Sequence, residues 1–328
     1  MPPQPTQPTS EASRGLLQPP RLYGVVSLML MGIASFFVVV QYLGASVAPP
    51  ASQTASAVVA ADPFIGVELE AKSAIVYDIK ARKILFESNS NAQLPLASIT
   101  KIMLALVVAE SLPLDSVITI PYDTAPSGSA ERLARGDKWK VSDVINFTLI
   151  ASSNNGADIL AAAANDAVHE RFPQSPESDS DGSTIWRMNM LAQELGMGQT
   201  YFLNASGLDL STTQSGSYSS ARDVASMLAY AASTSPLLFT GTAQNGLLLT
   251  AEDGAKTSAF NTNEALGDIP GLAMGKTGYT DLAGGNLAVV FDIGLGRPVV
   301  AVVLGSSHAG RFKDMKTLVR LAREAVAL

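Results

Sequence analysis

Three short motifs follow one another in this chain of 328 residues, and together they limit the folds open to it. They are Ser98-Ile-Thr-Lys101, Ser152-Ser-Asn154 and Lys276-Thr-Gly278. At average amino-acid usage, a Ser-x-x-Lys string is expected by chance roughly once in such a chain, and Lys-Thr-Gly in about one chain in ten. The order and surroundings of the motifs therefore carry more weight than any single motif.

The first motif lies where a helix is expected to begin. Leu94–Ala97 contains a proline and interrupts regular structure, whereas Ile102–Glu110 is a continuous helix-forming run. Ser98 is therefore predicted at or just inside a helix N-terminus. Because residues three apart share a helix face, the amine of Lys101 is expected beside the hydroxyl of Ser98.

A lysine is the expected base for this serine. A serine hydroxyl is a poor nucleophile until a base removes its proton. His169 and His308 have no triad or nucleophile-elbow context and are expected at the surface or as capping residues. Burial and a second ammonium both lower a lysine pKa, by up to about 3 to 5 units. Lys276 is the predicted second charge, and Ser152 is the predicted bridge between it and Lys101.

The second motif adds an amide to this group. Asn154 carries a carbonyl and an NH2 at one tip, so it can hold a lysine on one side and a substrate amide on the other. The overlapping string Ser153-Asn-Asn155 fits the same pattern. The residues alone leave both frames open.

The third motif predicts an edge strand. Lys276–Thr280 precedes two apolar runs, Gly285–Ile293 and Val299–Leu304, with a Gly-rich turn between them. This arrangement is typical of a hairpin. Gly278 lacks a side chain, so a substrate backbone is expected to approach and pair with the strand.

Two backbone groups complete the predicted site. The N–H groups of Tyr279 and Ser98 are expected to converge on a carbonyl oxygen as an oxyanion hole. Stabilisation of that kind is usually the largest single contribution to acyl transfer.

These motifs and their flanks resemble the low-molecular-mass penicillin-binding proteins, which are serine-type D-alanyl-D-alanine carboxypeptidases of the peptidase family S11 type. The resemblance covers about residues 65–328. Within it, the string beginning at Ser152 matches the family's Ser-Gly-Asn-Asp-Ala, which favours the Ser152 frame, although Asn155-Gly156 replaces Asp-Ala. The similar segments are Tyr77–Glu87, Leu96–Met103, Gly136–Asn154, Phe202–Asp209, Tyr218–Asp223 and Lys276–Leu287.

The resemblance implies a fold and a reaction. The fold is the β-lactamase/transpeptidase-like α/β (α+β) fold, an antiparallel sheet with packed helices plus an all-helical subdomain. The reaction is hydrolysis of the terminal D-Ala-D-Ala bond of a peptidoglycan stem peptide through a Ser98 acyl-enzyme. Thr277, Lys276 and Arg311 would hold the free carboxylate of the substrate. β-Lactams are the expected inhibitors, and no metal or organic cofactor is implied.

An apolar segment near the N-terminus predicts a membrane anchor. Leu22–Leu43 has no charged residue, and its 22 positions span about 33 Å as a helix, enough for a hydrocarbon core. Arg14 and Arg21 precede it, which predicts a cytoplasmic N-terminus and an extracytoplasmic enzyme. Cleavage near Ala55-Ser-Ala57 is the alternative. No further domain or C-terminal amphipathic anchor follows the helix-like segment Arg311–Arg323, so anchoring is expected at the N-terminal end.

The predicted organisation is a disordered cytoplasmic tail over residues 1–20, a transmembrane signal anchor over 21–44, a linker over 45–64 and a catalytic domain over 65–328. A net charge of −7 and a pI near 4.9 argue against nucleic-acid binding. The chain has no cysteine, which excludes disulfides and thiolate metal sites.

Two other classes of function compete with this reading. A class A β-lactamase needs a glutamate to activate water for deacylation, and no glutamate between Asn154 and Lys276 has the Glu-x-x-Leu-Asn context of that class. A β-lactam sensor would need a signalling domain, and an inactive scaffold is expected to lack a motif residue. Whether the enzyme trims chain ends or cuts cross-links is left open, because both reactions use the same residues.

Overall fold

The structure is a computed structural model that describes residues 62–121, 133–177, 181–294 and 296–327. These residues fall within one unit of the chain, Ala60–Leu328. The predicted tail, membrane anchor and most of the linker lie outside the described residues, so those assignments stay predictions. In the described ranges, no helix combines the length and the apolar character needed to cross a membrane.

Twelve strands and six α-helices make up the described part of the chain. The strands are β1 Ser73–Asp78, β2 Lys83–Ser88, β3 Leu94–Pro95, β4 Val117–Thr119, β5 Lys138–Lys140, β6 Tyr201–Phe202, β7 Ser217–Ser219, β8 Gly246–Thr250, β9 Lys256–Phe260, β10 Leu272–Thr280, β11 Gly284–Asp292 and β12 Pro298–Ser306. The helices are α1 Thr100–Ser111, α2 Val141–Ile150, α3 Asn154–Arg171, α4 Gly182–Glu194, α5 Ala221–Thr234 and α6 Gly310–Ala327. Three 3-10 segments, Ala97–Ile99, Pro236–Ala243 and Leu266–Asp268, complete the element order.

The main sheet has five antiparallel strands in the order β10-β11-β12-β1-β2. Side chains alternate between its two faces, and both faces are apolar, so helices cover both. On β11, Leu287, Val289 and Phe291 pack with α6, whereas Ala288 and Val290 belong to the core shared with the other helices. The sheet is thus the middle layer of the structure.

The larger core contains the all-helical part of the fold. Helix α1 is buried along residues 100–108, which marks it as the central helix of this core. Helices α3 and α4 pack on α1 and on each other, while α5 packs on the sheet strands β1, β11 and β12. The 3-10 turn Ala97–Ile99, which leads into α1, lies next to the edge strand β10.

The elements agree with the main sequence predictions. The edge strand is β10, the predicted hairpin is β11–β12, and the hairpin before the nucleophile is β1–β2. One detail differs at the predicted helix start. Ser98 lies in the 3-10 turn Ala97–Ile99, and the α-helix itself begins at Thr100. The positive φ of Ala97, 49°, is incompatible with a regular right-handed helix at that residue, so the α-helix begins only after this turn.

Candidate active site

A cleft of about 370 Å³ lies between the turn that carries Ser98 and the edge strand β10. All three sequence motifs contribute to its surface or to the layer beneath it. The lining residues are Ser98, Ser152, Asn154, Leu208, Thr262, Glu264, Thr277, Gly278, Tyr279, Thr280, His308 and Arg311.

The turn around Ser98 is held from below by a buried asparagine on the sheet. Asn286 of β11 donates from Nδ2 to the carbonyl oxygens of Pro95 and Leu96, at 3.0 Å each. Its own Oδ1 accepts from the backbone N–H of Gly305 at 2.8 Å. Asn286 is fully buried, so these hydrogen bonds have no competing water. The nucleophile turn is therefore fixed to the sheet through its backbone.

Lys101 lies beneath Ser98 with its side chain fully buried. Its Nζ is 2.8 Å from Ser98 Oγ, 2.8 Å from Asn154 Oδ1 and 2.8 Å from the carbonyl oxygen of Ser206. The predicted contact between the amine and the serine hydroxyl is therefore present. The structure also brings Asn154 to Lys101, as the amide geometry predicted.

Lys276 forms the other half of the lysine pair. Its Nζ donates to Ser152 Oγ at 2.7 Å and to the carbonyl oxygen of Thr277 at 2.9 Å. Burial lowers the pKa of Lys276 well below its usual value, and the positive charges of Lys101 and Arg311 lower it further. Of the two contacts predicted for Ser152 as a bridge between the lysines, the contact with Lys276 is therefore present.

The two possible frames of the second motif have different surroundings. Ser153 is buried and its Oγ accepts from the backbone N–H of Gly156 at 2.8 Å, so it caps α3. Ser152 instead has φ 59°, an uncommon value for a residue other than glycine, and lines the cleft with Asn154. Of the two frames, the structure therefore brings Ser152 and Asn154 of Ser152-Ser-Asn154 to the cleft.

Gly278 lies at a point of close packing that the sequence did not predict. A Cβ built on Gly278 would lie 2.7 Å from the carbonyl oxygen of Leu96 and 3.2 Å from the backbone nitrogen of Ser98. Strand β10 therefore packs directly against the nucleophile turn at this position. The missing side chain permits that close contact, and the approach of a substrate backbone to this strand stays a prediction.

Arg311, Thr277 and Tyr279 lie at the end of the cleft beside β10. The Nη1 of Arg311 donates to the carbonyl oxygen of Gly278 at 2.7 Å. Burial lowers the pKa of the Arg311 guanidinium from its usual value, against the opposing charge of Glu264. Thr277 is buried, whereas Tyr279 is half exposed. A cation and a hydroxyl thus face the region where a substrate carboxylate was predicted.

Several residues of this cleft were missed from the sequence. The loop after β6 supplies the Ser206 carbonyl, and Gly207 on the same loop packs against the Ala97 carbonyl. His308 was expected at the surface, and it is exposed, but it also lines the cleft and contacts Arg311. The sequence analysis identified Phe202–Asp209 only as a segment similar to the family and predicted no role in the cleft for it.

A solved structure shares this fold. The structure of penicillin-binding protein D2 from Listeria monocytogenes in an ampicillin-bound form superimposes with a TM-score of 0.64 at 29% identity, covering 78% of this chain and 98% of that one. The fold and the residues of the cleft together place this chain in the class of penicillin-binding proteins.

The family follows from the sequence comparisons. The family model described as D-alanyl-D-alanine carboxypeptidase, Peptidase_S11, matches residues 56–308, and the chain belongs to this family. The chain is 34% identical over 248 residues to the D-alanyl-D-alanine carboxypeptidase DacF of Bacillus subtilis, covering 73% of this chain but 58% of that protein. It is 28% identical to a D-alanyl-D-alanine endopeptidase of Escherichia coli, covering 82% of this chain and 81% of that protein.

Proposed function

We propose that this protein hydrolyses the terminal D-Ala-D-Ala bond of peptidoglycan stem peptides through an acyl-enzyme on Ser98. The proposal is supported by family membership and by a cleft lined by residues of all three motifs, with Lys101 and Lys276 buried beneath it and hydrogen-bonded to Ser98 and Ser152. β-Lactams would acylate the same serine, since a relative of similar fold was solved in an ampicillin-bound form.

The observation that carries the proposal is the set of three acceptors around Lys101. A neutral amine has two N–H groups and one lone pair. Asn154 Oδ1 and the Ser206 carbonyl oxygen can only accept, so both N–H groups are satisfied there. Ser98 is the one of these three partners that can also donate, so at 2.8 Å a neutral Lys101 can take its proton through the lone pair. This is the geometry that a general base needs.

The steps follow from these contacts. Ser98 Oγ attacks the carbonyl carbon of the penultimate D-Ala while its proton passes to Lys101. The backbone N–H groups of Ser98 and Tyr279 stabilise the negative charge on the carbonyl oxygen. The C–N bond then breaks, the proton moves to the leaving nitrogen and D-Ala departs. Water attacks the Ser98 ester, the acid is released and the serine regains its proton.

Substrate recognition is proposed for the end of the cleft beside β10. Thr277, Lys276 and Arg311 would hold the carboxylate of the leaving residue, while Asn154 would hold a substrate amide. A substrate that pairs with the open edge of β10 brings its scissile carbonyl to Ser98.

A fluorescent penicillin tests the nucleophile. The purified full-length protein is expected to become covalently labelled, and Ser98→Ala is expected to lose the label with its fold unchanged by circular dichroism. Covalent labelling of Ser98→Ala at the parent rate would contradict the assignment.

Two substrates test the reaction. Incubation with a monomeric pentapeptide is expected to release D-Ala, and a cross-linked dimer is expected to react more slowly. Faster cleavage of the dimer would instead place the enzyme with relatives such as the Escherichia coli endopeptidase.

We also propose that the protein is held at the bacterial cell membrane by its N-terminal span, with the catalytic domain outside. The proposal is supported by the uncharged segment Leu22–Leu43 and by the arginines that precede it. A substrate in the cell wall requires the enzyme on that side.

A further inference from the structure

His308 contacts the residues that would recognise the substrate carboxylate. Its ring lies edge-on to the ring of Tyr279, with centroids 4.9 Å apart and planes at 80°. A second edge contact joins it to Phe312 at 6.5 Å. The histidine is exposed and lines the cleft. None of the three sequence motifs includes it.

One hydrogen bond joins His308 to Arg311. The Nη2 of Arg311 lies 3.2 Å from His308 Nε2. A guanidinium can only donate, so Nε2 of His308 must accept, which places the imidazole proton on Nδ1. In this contact His308 acts as the hydrogen-bond acceptor.

The guanidinium of Arg311 is held from three directions. Its Nη1 donates to the Gly278 carbonyl oxygen, its Nη2 donates to His308, and its carbon atom Cζ lies 4.6 Å from the ring centroid of Phe312. Arg311 is buried and lines the cleft, and these two hydrogen bonds use two of the five N–H groups of a guanidinium. Donor capacity thus remains for an anion in the cleft, and His308 fixes the direction in which it is presented.

We infer that His308 is a positioning residue that orients Arg311 toward the carboxylate of the leaving residue. The inference rests on the proposed function, in which Arg311 contacts that carboxylate. Removing the Nε2 acceptor frees one end of the guanidinium fork. Recognition of a chain end then weakens, while the Ser98 and Lys101 contacts remain.

Matched variants separate the acceptor from the ring. His308→Phe keeps an aromatic edge against Tyr279 but removes the acceptor, whereas His308→Gln restores an acceptor without the ring. Each full-length variant is assayed on a peptide ending in D-Ala-D-Ala and on the same peptide with its terminal carboxylate converted to a methyl amide. The ratio of the two kcat/KM values measures carboxylate recognition.

The expected result is a loss confined to the free acid. His308→Phe lowers kcat/KM for the free acid about tenfold, chiefly through KM, because one hydrogen bond to a charged group is worth about 1.5 kcal/mol or more. The methyl amide changes by less than about twofold, which is within the usual effect of a surface substitution. His308→Gln recovers most of the loss. In an Arg311→Ala background, His308→Phe has no further effect.

Other outcomes overturn the inference. Equal losses on both substrates, or a loss that persists without Arg311, would mean that His308 acts on the fold of the cleft. If Arg311→Ala loses carboxylate recognition while His308→Phe leaves the ratio of the two kcat/KM values unchanged, only the proposed role of His308 is wrong. If Arg311→Ala itself leaves the ratio unchanged, both the carboxylate contact of the proposed function and this inference are wrong.

Discussion

The two buried lysines of the cleft differ in what surrounds their amines. Lys101 contacts Ser98 and two groups that only accept, whereas Lys276 contacts Ser152 and a backbone carbonyl. The pair is close enough for the charge of Lys101 to lower the pKa of Lys276. A shared neighbourhood of this kind favours one ammonium over two. The assignment of Lys101 as the neutral partner is a prediction of the sequence and is tested by substitution.

Exchange of each lysine for arginine should separate the two roles. Arginine keeps the positive charge but cannot give up its proton. Lys101→Arg should therefore slow acylation by a fluorescent penicillin at least about a hundredfold, the usual contribution of a general base. Lys276→Arg should be milder, because a cation suffices to bind a carboxylate.

Lys101→Met serves as the control for overpacking at the buried position, and it should be equally slow. If Lys101→Arg acylates at the parent rate while Lys276→Arg is inactive, the two lysines have been given each other's roles.

The lowered pKa of Lys276 predicts a pH dependence of stability. Below its folded pKa the amine is charged in both states, and the folded protein carries the full cost of a buried charge. Above the usual value of 10.5 the amine is neutral in both states and the cost is absent. The free energy of unfolding of the parent, relative to Lys276→Met, should thus rise with pH across the window between these values. Urea unfolding of both proteins at several pH values measures the difference, and a flat or falling difference would contradict the shift.

Strand β10 is the element that joins the three motifs. It carries Lys276 and Thr277 and packs against the nucleophile turn at Gly278. Because the contact at Gly278 is with backbone atoms, neither side can yield by rotating a side chain. The separation between β10 and Ser98 is therefore set by the absence of one methyl group.

Addition of that methyl group tests the contact. Gly278→Ala should push β10 from the turn and slow acylation by about tenfold or more, since small misplacements of reacting groups are costly. Gly275→Ala on the same strand is the matched control. Its nearest neighbour would be Val289 Cγ1 at 3.2 Å, a side-chain atom that can shift. Stopped-flow acylation should therefore show a loss for position 278 and little change for position 275; equal rates in the two variants would rule out this spacing role.

The sequence predicted the elements better than it predicted the walls of the cleft. Continuous apolar runs and the helix-forming run after Ser98 identified β11, β12 and α1 because packing dictates those patterns. Ser206 acts through its backbone carbonyl, which no side-chain pattern reveals. His308 lies in a short turn whose position depends on how α6 folds onto the sheet. The packing role of Gly278 was not predicted, because its tightest contact comes from a segment about 180 residues away in sequence.

At the scale of the whole molecule, the segment that precedes β1 is hydrogen-bonded to the last helix, α6. The backbone N–H groups of Glu70 and Ala71 donate to the carboxylate of Asp314 on α6, and Ser306 donates to the same carboxylate. The N-terminal entry and the C-terminal helix thus lie on one side of the sheet, opposite the larger helical core.

The proposed membrane topology predicts a protease result. In spheroplasts, protease should remove the catalytic domain from the outside and leave the N-terminal tail protected, because the apolar segment follows Arg14 and Arg21. Antibodies against a tag at each end of the chain report which part survives. Full protection of the catalytic domain, or a mature chain that starts near Ala57, would contradict the anchor.

The open edge of β10 bears on solubility as well as on catalysis. Exposed sheet edges recruit strands from other proteins and so promote aggregation. Arg311 lies beside this edge and donates to the carbonyl oxygen of Gly278, and an uncharged strand laid over the edge would bring no carboxylate to pair with the guanidinium. A peptide that ends there brings its own carboxylate, whereas the middle of a protein strand does not. The charge that is proposed to favour chain ends would therefore also disfavour self-association along this edge.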